Sequence, residues 1–422
     1  MTSRRRFSGL MIGGAFLGLT VPGLVLAGGT RFVVTPFDGS SVPVRTVNPG
    51  PVFTVPHAPA IRPQELVPIL QAGADHVVAQ QCADGGFGWP HDDCSTTYHN
   101  ITAPILMGVL NAHRYTMDPA HLAAAVTGGD FEVAYQWSNG EPRFGTQTPR
   151  LLQVLSTRSG DPSYAEHAAQ YFFDTLQAGT YGPSDWDTAG YIAAIFAYRT
   201  GALVNLRPWE FCTLVTAAEA RGNPGQADSF AQAALDGLAS LDNSDPGTVY
   251  SDIIGLAGGI MALSRTGWTT FPAISAPLHS GVNGIDSLAG LVGLLLTYQN
   301  DDGSWNWHSN LAVPDLSDKD LQTTAYAILA LVSAEPLVAG SQAPAILSAR
   351  DWLASMQLPG GGFPEYPGGN ENTGVEGEVL WALGASMDFN ALPVPALERP
   401  GLALLGVLLA LAGIAVRRKT LA

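Results

Sequence analysis

Positive charge is scarce in this chain. Of 422 residues only 20 are Lys or Arg, against 36 Asp or Glu, and all charged residues together make up 13%. Arg4, Arg5, Arg6, Arg417, Arg418 and Lys419 lie in the two end segments, so the body between them is more acidic than the formal net charge of −16 suggests. Such a surface repels nucleic acid and anionic lipid, and no nucleic-acid partner is expected. Cysteine is scarcer still. Cys82, Cys94 and Cys212 are the whole set, which leaves room for one bridge and one cysteine over. Recognisable catalytic signatures are missing as well. No Gly-x-Ser-x-Gly, His-Glu-x-x-His or phosphate-binding loop occurs, so the hydrolases and nucleotide enzymes they mark are not indicated.

What is abundant is apolar surface, at 46% of residues. Part of it lies at the ends. Arg4-Arg5-Arg6 precede an apolar run that closes on Val25-Leu26-Ala27, the pattern of a signal peptide over residues 1–27. Ser3-Arg4-Arg5-Arg6-Phe7 also resembles the twin-arginine export consensus, so both export routes stay open. At the other end, residues 401–419 read as an apolar helix followed by Arg417-Arg418-Lys419. The positive-inside rule keeps that basic end cytoplasmic and places the body outside. Val394-Pro395-Ala396-Leu397 together with Arg417-Arg418 resembles the bacterial sorting signals of the IPTL-CTERM and PEP-CTERM type. That resemblance implies a bacterial envelope protein, a membrane contact through the C-terminal helix, and two partners: export machinery and a sorting protease. Residues 28–62, rich in Pro and Val, read as an extended arm, and 389–400 as a second linker.

The body, 63–388, repeats itself. A helical stretch ends in Gln, a Gly-containing turn with an aromatic follows, and then comes a more apolar helix. The clearest turns are Gln81–Phe87, Gln299–Trp305 and Gln357–Phe363, with weaker copies at Gln177–Tyr181 and after Gln136. In four second helices an Asp or Asn stands ten residues before an Ala: Asp187, Asp252, Asp320 and Asn372. Their shared register predicts N-caps. Second helices such as LQTTAYAILAL are apolar nearly all round and predict burial on every side, whereas first helices such as QAPAILSARDWLASMQ are amphipathic. An inner ring inside an outer ring satisfies both. The expected fold is all-α, an (α/α)6 toroid of about six helix pairs.

Gln299-Asn-Asp-Asp-Gly-Ser-Trp305 resembles the repeat motif of squalene and oxidosqualene cyclases, and DKDLQTTAYAILAL resembles the inner-helix repeat that those cyclases share with protein prenyltransferases. The resemblance implies the toroid. Its chemistry does not carry over. The cyclase acid lies in Asp-x-Asp-Asp-Thr-Ala, and when Ser184-Asp185-Trp186-Asp187-Thr188-Ala189 is aligned on Thr-Ala, only Asp187 of the three acidic positions is matched and Trp186 stands where the acid should be. A ligand- or partner-binding role is therefore the first expectation. The alternative is an envelope enzyme acting on a polysaccharide or an isoprenoid lipid in the barrel mouth.

Candidate residues gather in the turns before the inner helices, which share one end of the ring. Asp93, His99 and Asp187 are the catalytic candidates. Trp186, Tyr250, Asp252, Trp307, His308 and Glu376 are the ligand-binding candidates, since aromatic faces stack on sugars and carboxylates supply acid and base. In GWPHDDCSTTYHN, residues 88–100, the types of His91, Asp92, Cys94 and His99 also suit zinc. Cys82 competes for Cys94, because a bridge between them would close a short loop, and no cofactor is otherwise expected.

Overall fold

In the computed structural model the described residues are 61–91, 93–138, 148–169, 215, 218, 219, 222, 224–239, 241, 252–277, 279–309, 319–338, 340 and 342–390. All belong to one compact unit, Phe53–Ala422. The expected signal peptide, most of the arm, the C-terminal helix, Trp186, Asp187, Tyr250 and Cys212 lie outside them. Among the described residues no helix is long and apolar enough to cross a membrane.

The order is α1 (Pro63–Ala79), α2 (His99–Thr116), α3 (Pro119–Ser138), α4 (Thr148–Ser159), a helical run over 163–169, α5 (Pro224–Ala239), α6 (Asp252–Thr266), α7 (Leu288–Thr297), α8 (Leu321–Ala334), α9 (Ala343–Ser355) and α10 (Thr373–Ser386). Outside the helices, the described residues form only isolated β-bridges. The inner ring is α2, α10, α8 and α6, each packed on the next, with α4 continuing from α2. Outer helices wedge between inner ones: α1 touches α2 and α10, α7 touches α6 and α8, and α9 touches α8 and α10. The fold is the expected all-α (α/α)6 toroid.

Burial follows the apolar pattern. In α6 every residue from Asp252 to Ser264 is buried, and in α10 every residue from Thr373 to Gly384. In α1 only Leu66, Leu70, Gly73, Ala74 and Val77 are, one stripe at helical spacing.

The glutamines that end the outer helices explain the repeat. Gln81 Nε2 donates to Gly85 O in its own turn (2.8 Å) and to Ala124 O on α3, the next outer helix (2.9 Å). Gln299 does the same to Gly303 O and Ala345 O, and Gln357 to Gly361 O and Ile69 O. Gly85, Gly303 and Gly361 share a φ of 93–99°, in the left-handed region, and each presses its turn against the neighbouring outer helix. The aromatic that follows is fully buried in all three: Phe87, Trp305 and Phe363. Its N–H finds an acceptor on the inner helix: Thr102 Oγ1, Thr324 Oγ1 and Glu376 Oε1 respectively.

The ring closes between the last repeat and the first. Gln357 reaches α1 through Ile69 O, and Thr373 N donates to Pro90 O (3.0 Å). Arg350 Nη2, on α9, donates to Ile61 O (2.6 Å). The inner helices α2 and α10 meet backbone to backbone, so closely that a Cβ on Gly108 would lie 2.0 Å from Gly377 O. Gly293, in contrast, sits on α7 where a Cβ would meet nothing within 4 Å. We expect Gly108→Ala to destabilise by at least about 2 kcal/mol through overpacking. Gly293→Ala should stabilise by about 0.5–1 kcal/mol through helix propensity. Chemical denaturation of both variants checks the pair.

Candidate functional site

The turns that lead into the inner helices gather at one rim, as expected. Before α8, Asn306 bridges to Lys319 and holds the loop that carries Trp307 and His308, both half-buried. Before α10, Pro364 bridges to Glu371, and Leu321 N donates to Glu365 O, so this hairpin rests on the start of α8. Tyr366 at its tip is 40% exposed, and Trp89 and Tyr98 in the first repeat are 52% and 39% exposed.

Asp320 is the N-cap of α8: its Oδ1 accepts from Thr323 N (2.6 Å). Asn372 caps α10 in the same way, accepting from Gly374 N and Val375 N. Burial raises the Asp320 carboxyl to about 6, with Glu365 adding to the rise and the bonds from Thr323 opposing it. Glu365 itself is half-buried and accepts from Asn372 Nδ2 (2.6 Å). A second buried acid, Glu378, lies between α8 and α10, where Tyr326 and Gln322 donate to its two oxygens. Burial lifts it to about 7, and nearby Asp320 contributes. Two carboxyls on facing elements are thereby held protonated beyond the usual carboxylate range.

Asp252 departs from the capping register. It is the first residue of α6 and is buried, and its carboxylate turns inward. It accepts from His279 Nε2 (2.9 Å) and from the N–H and hydroxyl of Ser309. Because Val282 N donates to His279 Nδ1, the imidazole proton resides on Nε2 and points at Asp252. The serine hydroxyl bonds the carboxylate rather than the imidazole, so this is not a nucleophile–base pair. Both oxygens of Asp252 accept hydrogen bonds from within the protein.

In the first repeat Cys82 and Cys94 form a disulfide with Cα atoms 5.6 Å apart, so Cys94 is not a metal ligand. Asp93 is exposed, and the Ser95 hydrogen bonds hold its carboxyl below the usual range. His99 opens α2, and Asp92 lies outside the described residues. His91 has partners that its sequence neighbourhood does not suggest. Its Nε2 lies 3.4 Å from Glu371 Oε2, while His76 Nε2 lies 3.7 Å from that oxygen and 3.6 Å from Glu376 Oε1. These four side chains offer ligand atoms all within 4.8 Å of one another. His76, Glu365 and Glu371 were not candidates in the sequence. The signal for His76 and Glu371 was topological, since a closed ring must bring the last turn onto the first helix.

No protein-family model and no curated protein matches the chain. Solved structures of similar fold do. An unsaturated glucuronyl hydrolase specific for heparin aligns with a TM-score of 0.51 at 12% identity, over 76% of this chain and 97% of its own. A possible member of the GH105 family from Salmonella enterica gives 0.51 and 13%, over 80% and 99%. A polysaccharide lyase gives 0.51 and 13%, over 78% and 98%. At such identities the likeness establishes the toroid and nothing finer. The resemblance to terpenoid cyclases likewise holds at the level of the toroid, and these neighbours carry other names.

Three buried acids set a pH dependence of stability. Asp320 rises to about 6 from 3.8, Glu378 to about 7 from 4.5, and Glu132, buried beside Thr148, to about 8 from 4.5. In each case the folded state holds a proton that the unfolded state has released, so stability falls as pH rises through the window. We expect denaturation midpoints to drop between about pH 4 and pH 8. Asp320→Asn, which keeps an N-cap, should flatten the lower part of that drop, and Glu132→Gln the upper part. Urea titrations at stepped pH measure both.

Proposed function

We propose that the chain is an exported envelope enzyme that acts on a polysaccharide at the rim of its toroid. The observation that carries this reading is Asp320, an acid raised to about 6 at the rim, beside the less buried carboxylate Glu365. A buried acid that keeps its proton, with a second carboxyl nearby, is what cleavage of a sugar linkage requires. Only Oδ1 of Asp320 is engaged by the cap, and among the described residues no donor binds Oδ2. That oxygen carries the proton to the leaving group. Tyr366 and Tyr98, both exposed, and Trp307, half-buried, are aromatic residues of the turns that can stack on sugar. The toroid's likeness to enzymes named for glucuronyl hydrolysis and polysaccharide cleavage supports the same substrate class over an isoprenoid. Export and a C-terminal anchor would place the rim where extracellular polysaccharide is met.

The binding-only reading makes the opposite prediction about turnover. Purified full-length chain should release reducing ends or unsaturated sugars from at least one member of a panel of acidic and neutral polysaccharides. The rate should fall as pH rises above about 6, because the acid must be protonated. Asp320→Asn should lower turnover by about 10²–10⁴-fold, the usual contribution of a general acid. A panel with no turnover would return the chain to the ligand-binding class. Turnover untouched by Asp320→Asn would place the chemistry elsewhere.

A further inference from the structure

We propose that His76, His91, Glu371 and Glu376 form a zinc site that clasps the last repeat of the toroid to the first. The four side chains come from four segments. His76 is in the last turn of α1, and His91 follows Pro90 in the first repeat's turn. Glu371 ends the hairpin before α10, and Glu376 lies in the first turn of α10. Glu376 takes the slot that Thr102 and Thr324 fill in the other repeats, where a hydroxyl is enough to accept the turn's N–H. A buried carboxylate there exceeds what the repeat needs.

The spacing separates a coordination shell from ordinary ion pairs. An imidazole hydrogen-bonded to a carboxylate brings N and O to roughly 2.7–3.2 Å. His121 Nε2 does this with Asp75 Oδ1, at 2.9 Å, in the other His–carboxylate cluster of the described residues. In the clasp three of the four His–carboxylate separations are 3.4, 3.6 and 3.7 Å, and all the ligand atoms lie within 4.8 Å of one another. Zinc–nitrogen and zinc–oxygen bonds of about 2.0–2.2 Å arranged tetrahedrally put neighbouring donor atoms about 3.3–3.6 Å apart. The donors therefore stand off from one another by the width of an ion.

The middle of the cluster is kept clear by a glycine. A Cβ on Gly362 would lie 2.7 Å from Glu371 Oε1, 2.7 Å from Glu376 Oε1 and 2.8 Å from His76 Nε2. His76 Nε2 is shielded from solvent and has no hydrogen-bond partner, which is unfavourable unless something accepts its lone pair. A cation does. Two imidazole nitrogens with two carboxylate oxygens in four-fold array suit zinc, whereas calcium and magnesium take more oxygen ligands. Outer contacts fix the shell. Gln80 Nε2 donates to Glu376 Oε2 (3.1 Å), Phe363 N donates to its Oε1, and the Cys82–Cys94 bridge pins the loop that carries His91. Four protein ligands leave no open position, so the ion's role is structural, and the site is independent of the polysaccharide reading.

The full chain, stripped with chelator and then dialysed against zinc, should hold about one zinc per chain by mass spectrometry of the metal. Zinc should raise its thermal midpoint by at least about 5 °C. Cobalt(II) in place of zinc should give the intense visible bands of a tetrahedral site. His91→Ala and Glu371→Gln remove half-exposed ligands and should leave the fold intact by circular dichroism. Each should reduce bound zinc at least ten-fold and abolish the thermal shift. Gly362→Ala, which fills the cradle without removing a ligand, should do the same. Reloaded wild-type chain that holds less than a tenth of an equivalent of zinc would overturn the proposal. So would zinc binding and a thermal shift that persist unchanged in the folded His91→Ala, Glu371→Gln double variant.

Discussion

A primary amide at the end of an outer helix can satisfy two carbonyls at once, and this toroid is assembled on that property. Gln81, Gln299 and Gln357 each donate one N–H to the left-handed glycine of their own turn and the other to the backbone of the next outer helix. The first bond shapes the turn. The second sets the distance to the neighbouring repeat. Once both are made, the aromatic two positions after the glycine has one place to go, inward, where all three are fully buried. Each such hydrogen bond contributes only about 1 kcal/mol. Their effect is geometric: they turn a row of helix pairs into a ring with a common rim.

Much of this was legible in the sequence because it repeats. The Gln–Gly–aromatic turns, the capping register of Asp320 and Asn372, and the contrast between apolar and amphipathic helices all recur, and recurrence can be read from one chain. The site was less legible because it is made of exceptions. Asp252 shares the capping register, yet its environment differs: His279 and Ser309 stand where a cap would look for backbone N–H groups. His91 drew notice for its neighbours Asp92, Cys94 and His99, but a disulfide takes Cys94, and Glu371, a carboxylate that it meets, is distant in sequence. His76 looks like one more polar position on an amphipathic helix. Only closure of the ring gives it company.

The toroid leaves chemistry to its turns. The described inner helices α6, α8 and α10 are buried along most of their length, so the side chains left for chemistry among the described residues lie in the turns, where the repeat has already fixed the backbone. Asp320 illustrates how one side chain serves both ends. As a cap it is held rigid, and as a buried acid it keeps its proton longer than an exposed aspartate would. The repeat motif Gln299–Trp305 that first suggests the architecture holds at the level of the toroid, and the raised acid of the described rim, Asp320, belongs to that same repeat.

The seam also fixes an order in time. Ile69 waits for Gln357, Pro90 for Thr373 and Ile61 for Arg350, partners nearly three hundred positions later. At ribosomal speeds of about 5–20 residues per second, the first helix is finished roughly 15–60 s before its counterpart exists. An open solenoid could settle repeat by repeat as it emerges. Here the opening helix keeps an uncovered flank until the final repeat arrives, and loop closure of that length makes a slow folder. A chain built in this way gives a chaperone a long interval in which to hold it.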